Sequence, residues 1–286
     1  MKAKCLRSAL LLLTSGLLEQ ADVNGLFTAE QGFGIEGPLN DEYVVFGGTY
    51  SPYDTLPYFA VYAMRIDAAG NPIDTNYATL PQKSCQPGWM NCSFVRNGVQ
   101  LGAAGGTQDG ISTRPALFLF DSLGQVDNII EYGTIGEQWA EHGCRETPDG
   151  GYIICGETNV SGTSSDGFLL KVDSAYDQEW IQTYGLSNRN EYMVTVDLKP
   201  GGGYYVGGQV LSVTTQRDNW VLGVDSDGAV LWEHTYGGNF NDPLAQLQTV
   251  ADSSLVFATA LSSSAGWVGR SRLVKLDPGG NMIWSQ

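Results

Sequence analysis

Three features of the sequence predict an all-β chain built from one repeated sheet. An Asp-headed turn recurs at Asp67, Asp121, Asp173, Asp225 and Asp277, with spacings of 54, 52, 52 and 52 residues. Each copy has an apolar, β-prone run before the Asp and a second run after it, so each reads as strand, turn, strand. Glycine is abundant, 37 of 286 residues, while only 16% of residues are charged, the composition of many short strands and tight turns. A fixed period of this size marks a propeller or a solenoid. With four short strands per period, the expected fold is a β-propeller of about five four-stranded antiparallel blades, or a part of a larger one. A β-sandwich would leave the period unexplained.

The fullest copy is Asp225-Ser-Asp-Gly228 followed by Trp232 and Tyr236-Gly237. Asp at the first turn position can accept hydrogen bonds from the backbone ahead, and Gly tolerates the left-handed exit. Trp180, Trp232 and Trp284 share one register and suit packing between neighbouring sheets.

Taken in order, residues 1–21 read as a secretory signal peptide. A basic start, Met1 to Arg7, precedes a short apolar run from Ala9 to Leu18. Cleavage after Ala21 would leave Glu19 where a small residue belongs. The run is too short to span a membrane, and no later stretch qualifies. Residues 22–286 form the propeller domain, with repeats at about 26–77, 78–133, 134–185, 186–237 and 238–286. In the first repeat, Tyr43 to Gly48 and Phe59 to Ile66 read as strands around a proline-bearing loop. The second opens on a turn-rich loop from Cys85 to Cys92, then a hairpin at Asn97-Gly98, and has Asn128 in place of the Trp. The third runs Trp139 to Thr147, then the turn at Asp149-Gly150, then strands ending at Gly156, Val172 and Tyr184. The fourth and fifth follow the same plan. Inner strands buried on both faces should show continuous apolar runs.

Apart from Cys5, four cysteines remain, and they allow three connectivities. The preferred pairing is Cys85 with Cys92 and Cys144 with Cys155. A two-residue turn at Asp149-Gly150 would set the latter pair directly opposite each other. Buried thiols are the other reading.

The net charge of −16 and the pI of about 4.3 oppose binding to phosphate backbones or anionic membranes. No nucleic-acid partner is expected. His142 and His234 are the only histidines, and they fall at unlike registers, so no nucleophilic triad is recognisable. No phosphate-binding loop is present. No cofactor or metal site is expected. For calcium there is only Ser164-Ser-Asp166-Gly167, with one carboxylate. Ligand-facing candidates on the innermost strands are Trp139, Glu141, His142, Glu191 and Asp242. Trp89, in the cysteine loop, is placed to stack on a sugar ring. A ring of carboxylates with one histidine would suit a cation or a sugar; solvated channel-lining side chains are the plainer alternative.

The run Asp149-Gly-Gly-Tyr-Ile-Ile-Cys-Gly156, then Phe168-Leu-Leu-Lys-Val-Asp173, then Trp180 with Tyr184-Gly185 resembles the secreted bacterial β-propeller repeat proteins associated with type IX secretion. The resemblance covers about residues 26 to 286 and implies a secreted or cell-surface protein with an interaction role. No sorting domain follows the repeats, and the last repeat reaches Gln286 before its Tyr-Gly. Gly228 and Trp232, with Asp225 ahead, look like the tryptophan-docking motif of quinoprotein-type propellers, some of which are dehydrogenases. The expected function is a non-enzymatic module for protein or glycan partners. The alternative is a propeller enzyme, carbohydrate-active or quinone-dependent.

Overall fold

The computed structural model describes residues 31–39, 41–50, 58–88, 92–97, 99–133, 138–159, 165–186, 189–211, 217–237, 241–262 and 269–286. All of its regular structure is β, in five antiparallel meander sheets. The chain divides into two compact units, 1–135 and 136–286, taken here one at a time.

The first unit holds two sheets. Sheet 1 is β1 (Gln31–Leu39), β2 (Glu42–Tyr50), β3 (Phe59–Ile66) and β4 (Pro72–Ala78). Sheet 2 has β5 (Ser84–Pro87) and β6 (Ser93–Arg96), both paired to β7 (Gln100–Gln108), then β8 (Thr113–Asp121) and β9 (Val126–Glu131). The cysteine loop thus splits one inner strand into two pieces. Val44, Phe46, Val61 and Ala63 of sheet 1 pack on Leu101, Ala103, Phe118 and Phe120 of sheet 2, with the rings of Phe46 and Phe120 5.6 Å apart. Ser93 donates to Glu36 across the same gap at 2.9 Å.

The second unit holds three sheets. Sheet 3 is β10 (Gln138–Glu146), β11 (Tyr152–Thr158), β12 (Asp166–Val172) and β13 (Gln178–Tyr184). Sheet 4 is β14 (Asn190–Leu198), β15 (Tyr204–Leu211), β16 (Arg217–Val224) and β17 (Val230–Tyr236). Sheet 5 is β18 (Leu244–Thr249), β19 (Leu255–Ser262), β20 (Gly269–Leu276) and β21 (Met282–Ser285). Sheet 4 is covered on both faces. Tyr204, Val206, Val210 and Leu222 pack against Ile153, Cys155 and Leu169 of sheet 3. Tyr205 and Val221, one residue out of phase, pack against Leu244, Phe257 and Val274 of sheet 5. Strand side chains alternate between faces, so a strand buried on both sides reads as an unbroken apolar run, as Trp220 to Val224 of β16 does. Asp197 on β14 ties the inner strands together: it accepts from Thr249 N–H at 2.7 Å and from Arg145 Nε at 3.4 Å.

The repeated turn has the expected chemistry. The Oδ1 atoms of Asp67, Asp121, Asp173, Asp225 and Asp277 each accept the backbone N–H groups two and four residues ahead, all within 3.0 Å. Residue four of the turn is left-handed throughout: Gly70, Gly124, Gly228 and Gly280, and in sheet 3 Tyr176, at φ 67°. These are three-residue loops closed by a left-handed residue.

The disulfide expectation is overturned, because Cys85, Cys92, Cys144 and Cys155 are all buried thiols. The turn at Pro148 is one residue longer than a two-residue hairpin, with Thr147 N–H bonded to Gly151 O at 2.8 Å. The register therefore pairs Cys155 with Gly143 and Cys144 with Ile154, so the two sulfurs lie on opposite faces of the sheet. Cys85 pairs with Thr107, while Cys92 accepts from Ala104 N–H. Three residues along a strand span about 10 Å, beyond the Cα separation of a disulfide. Cys92 instead donates to Gly88 O at 2.8 Å.

Candidate functional site

The innermost strands of the second unit carry a feature that sequence reasoning missed. Asn190 Oδ1 accepts Ser165 N–H at 3.0 Å, while Glu191 N–H donates to Ser165 O at 2.8 Å. One sheet further on, Asn241 Oδ1 accepts Arg217 N–H at 2.9 Å and Asp242 N–H donates to Arg217 O at 2.6 Å. An Asn-acid pair at the start of β14, or just ahead of β18, thus brackets the backbone that opens the third strand of the preceding sheet. The signal was in the sequence as Asn188-Arg-Asn-Glu191 and Asn239-Phe-Asn-Asp242, 51 positions apart.

Glu191 and Asp242 therefore occupy equivalent places and are both buried. Glu191 has 0% exposure, and neither carboxylate oxygen has a hydrogen-bond partner. Burial pushes its carboxyl up to about 7. The backbone N–H of Leu186 and the charge of Arg189 oppose the shift, and the charges of Asp166 and Glu233 add to it. An ionised carboxylate held dry is costly, and the group protonates instead.

Of the other expected residues, Trp89 lies outside the described residues, as do residues 1–21 and the loop residues 51–57 and 160–164. Trp139, Glu141 and His142 lie on β10, where Trp139 pairs with Glu157 and an irregularity follows before Gly143; their side chains lie outside the description. Among the described residues no three His, Cys, Asp or Glu side chains gather as a metal site.

A second charged cluster sits at the first turn of sheet 3. Lys171, only 3% exposed, bonds to Asp149 at 2.8 Å, Glu179 at 2.7 Å and Val172 O at 3.0 Å. Partial burial of Asp149 works against ionisation, but Lys171, the Thr147 hydroxyl and Gly151 N–H outweigh it and hold the carboxyl at about 2. Lys171 and the two carboxylates satisfy one another, which makes the cluster a structural clamp.

The repeated aromatics form the contacts between sheets. Tyr184 donates to Gly228 O at 2.7 Å, Trp232 Nε1 donates to Pro278 O at 3.0 Å, and Tyr236 donates to Gly280 O. A Cβ on Gly228 would lie 2.8 Å from the Tyr184 hydroxyl and 3.2 Å from the Trp180 ring, and one on Gly280 would lie 2.7 Å from the Trp232 ring. β13 and β17 therefore each seat the Asp-x-x-Gly turn of the next sheet.

No family model and no curated protein matches the chain. Solved structures do. A protein of unknown function from Dyadobacter fermentans DSM 18053 is similar at TM-score 0.58 and 10% identity, over 90% of this chain and 81% of that one. A puromycin hydrolase is similar at TM-score 0.53 and 15% identity, over 90% of this chain and 39% of that one. An endo-arabinase from Bacteroides thetaiotaomicron VPI-5482 matches at TM-score 0.47 and 9% identity, over 85% and 92% of the two chains. At such identities the likeness concerns the fold alone. The chain is all-β, of the β-propeller class, with about five four-stranded antiparallel blades.

Proposed function

We propose that the chain is an exported β-propeller module that holds a protein or glycan partner without transforming it. The observation that carries this reading is the use made of the acidic inner-strand residues. Glu191 and Asp242 are buried beneath the bracket that joins one sheet to the next, where a substrate has no access to them. Apolar side chains are instead presented on the outer strands, with Val230, Leu231, Met282 and Ile283 exposed. Export follows from the apolar start of the sequence and from the resemblance to secreted repeat proteins.

One observation favours the enzyme alternative, a carbohydrate-active or quinone-dependent propeller. A carboxyl titrating near 7 has the pKa of a general acid. Its complete burial weighs against that role.

The test is a glycan array probed with the full chain, with and without calcium, with mass spectrometry of the glycans after incubation. Saturable binding of a glycan recovered intact supports the module and fixes its partner class. A cleaved or transferred product overturns the reading in favour of the enzyme. If no glycan binds, that partner class is removed, and a protein-interaction scaffold or an incomplete propeller is the reading to test next.

A further inference from the structure

The bracket between sheets 3 and 4 joins two strand ends. Ser165 immediately precedes β12, and Asn190 and Glu191 are the first two residues of β14. Strand ends open at lower cost than strand centres. A register shift between Met193 and Thr195 sets this end apart from the rest of β14. Asn190 and Glu191 can therefore lift while Thr195 to Leu198 keep their pairing with β15.

The carboxyl of Glu191 lies inside that joint, with 0% exposure and no hydrogen-bond partner on either oxygen. It shares one row across sheet 4 with Val210 and Asp218. The next row on the same face carries Met193 and Trp220, both in the core between sheets 3 and 4. The charges acting on it are chiefly acidic. Asp166 opens β12 and Glu233 lies on β17, while Arg189, exposed just ahead of β14, supplies the opposing charge. Tyr192, next in the chain, lies in the fields of Glu157 on β11, Arg217 on β16 and Glu191 itself. Arg189 and the Leu186 N–H favour ionisation but do not offset burial. In the closed joint an ionised carboxylate stays dry; lifted, it gains water.

We propose that this bracket is a pH-sensitive latch: protonated Glu191 keeps sheets 3 and 4 joined at Ser165, and ionised Glu191 frees the joint. The latch does not depend on the partner proposed above. Closed, the carboxyl titrates at about 7, and open it returns to its reference of 4.5. Below the lower value both forms hold the proton, and above the upper one neither does. Between them the opening constant rises about tenfold per pH unit, for a total of at most about 300-fold.

The experiment is hydrogen exchange on the full chain at several pH values, read by mass spectrometry with fragmentation to single amides. The Ser165 and Glu191 amides, the two donors of the bracket, are the probes. Exchange through an opening that ignores pH rises in direct proportion to hydroxide. The latch adds a second power of hydroxide between about pH 5 and about pH 7 and loses it above. Glu191→Gln, which cannot ionise, should show the first power throughout. If that variant fails to fold, the bend near about pH 7 in wild type decides alone. The Val206 and Leu222 amides, in the centre of sheet 4, should open far more rarely than the bracket. A single power of hydroxide in wild type, a second power retained by the folded variant, or one shared opening constant for bracket and sheet centre overturns the proposal. A failed glycan array would leave these outcomes unaffected.

Discussion

Replacing Glu191 by Gln tests the dry carboxyl directly. In the folded chain this group titrates at about 7, against a reference of 4.5. Below the reference value both states hold the proton and the site has no pH-dependent cost. Between the two values the folded state binds more protons than the unfolded one, so stability falls as pH rises. Above about 7 the full cost is present. At about 1.4 kcal/mol per unit, the difference sets a ceiling of about 3 kcal/mol. Asp166, Arg189 and Glu233 are the charges acting on the group, and all three remain in the variant. Glu191→Gln removes the ionisation but leaves a buried amide to satisfy, which costs about 1–2 kcal/mol. The variant is therefore expected to match or fall below wild type near about pH 5 and to exceed it by about 1–2 kcal/mol near about pH 8. Urea midpoints at several pH values, by intrinsic fluorescence, give the measurement. Parallel pH profiles for the two proteins would refute the placement of Glu191 as an unpartnered buried acid.

Three further outcomes follow from the packing. Gly228→Ala should destabilise by about 2–4 kcal/mol, from left-handed strain and displacement of Tyr184. Gly201→Ala, at φ 87° with nothing within 4 Å, should cost only the strain, about 1–2 kcal/mol; equal losses in urea titrations would disprove the docking of Tyr184. Burial pushes the Cys92 and Cys155 thiols up to about 12, so thiol reagents should label neither in the native protein and both in denaturant, and added reductant should leave the melting temperature unchanged. Asp197→Ala strands Thr249 N–H and should cost about 1–3 kcal/mol by thermal melting; an unchanged melting point would mean that water replaces the carboxylate.

The sheets were legible because every turn repeats the same local chemistry. An Asp that accepts two forward N–H groups and a residue able to sit left-handed are requirements of a single loop, and a single loop is short enough to read. Strands β13 and β17 were legible to within a residue or two for the same reason. The cysteine pairing was not, because it depended on whether the Asp149 loop holds two residues or three, and one residue moves every side chain of β10 to the other face. The Asn-acid bracket was missed because its period is 51 rather than 52, and because the groups it serves belong to another sheet. Glu191 and Asp242 were picked out as acids on inner strands, but their burial depends on neighbours far away in the chain.

The weak copies of the repeat have a physical explanation. The Asp67 and Asp121 turns keep both carboxylate hydrogen bonds, so the turns themselves have not decayed. What changes is the seat. Where Lys171 faces Trp180 and Gly223 faces Trp232, sheet 1 pairs Arg65 with Asp74. The guanidinium bonds Asp74 at 3.2 Å and Glu42 at 2.7 Å, and its methylenes lie where a Cβ on Gly124 would meet them at 3.5 Å. An arginine stem can cover a glycine turn as a ring does, with its charge held by carboxylates. It offers less apolar area and no indole N–H for the turn carbonyls. The seat is therefore conserved in shape within the first unit while its aromatic signature is lost, and a search for Trp at a fixed register finds the second unit clearly and the first only faintly.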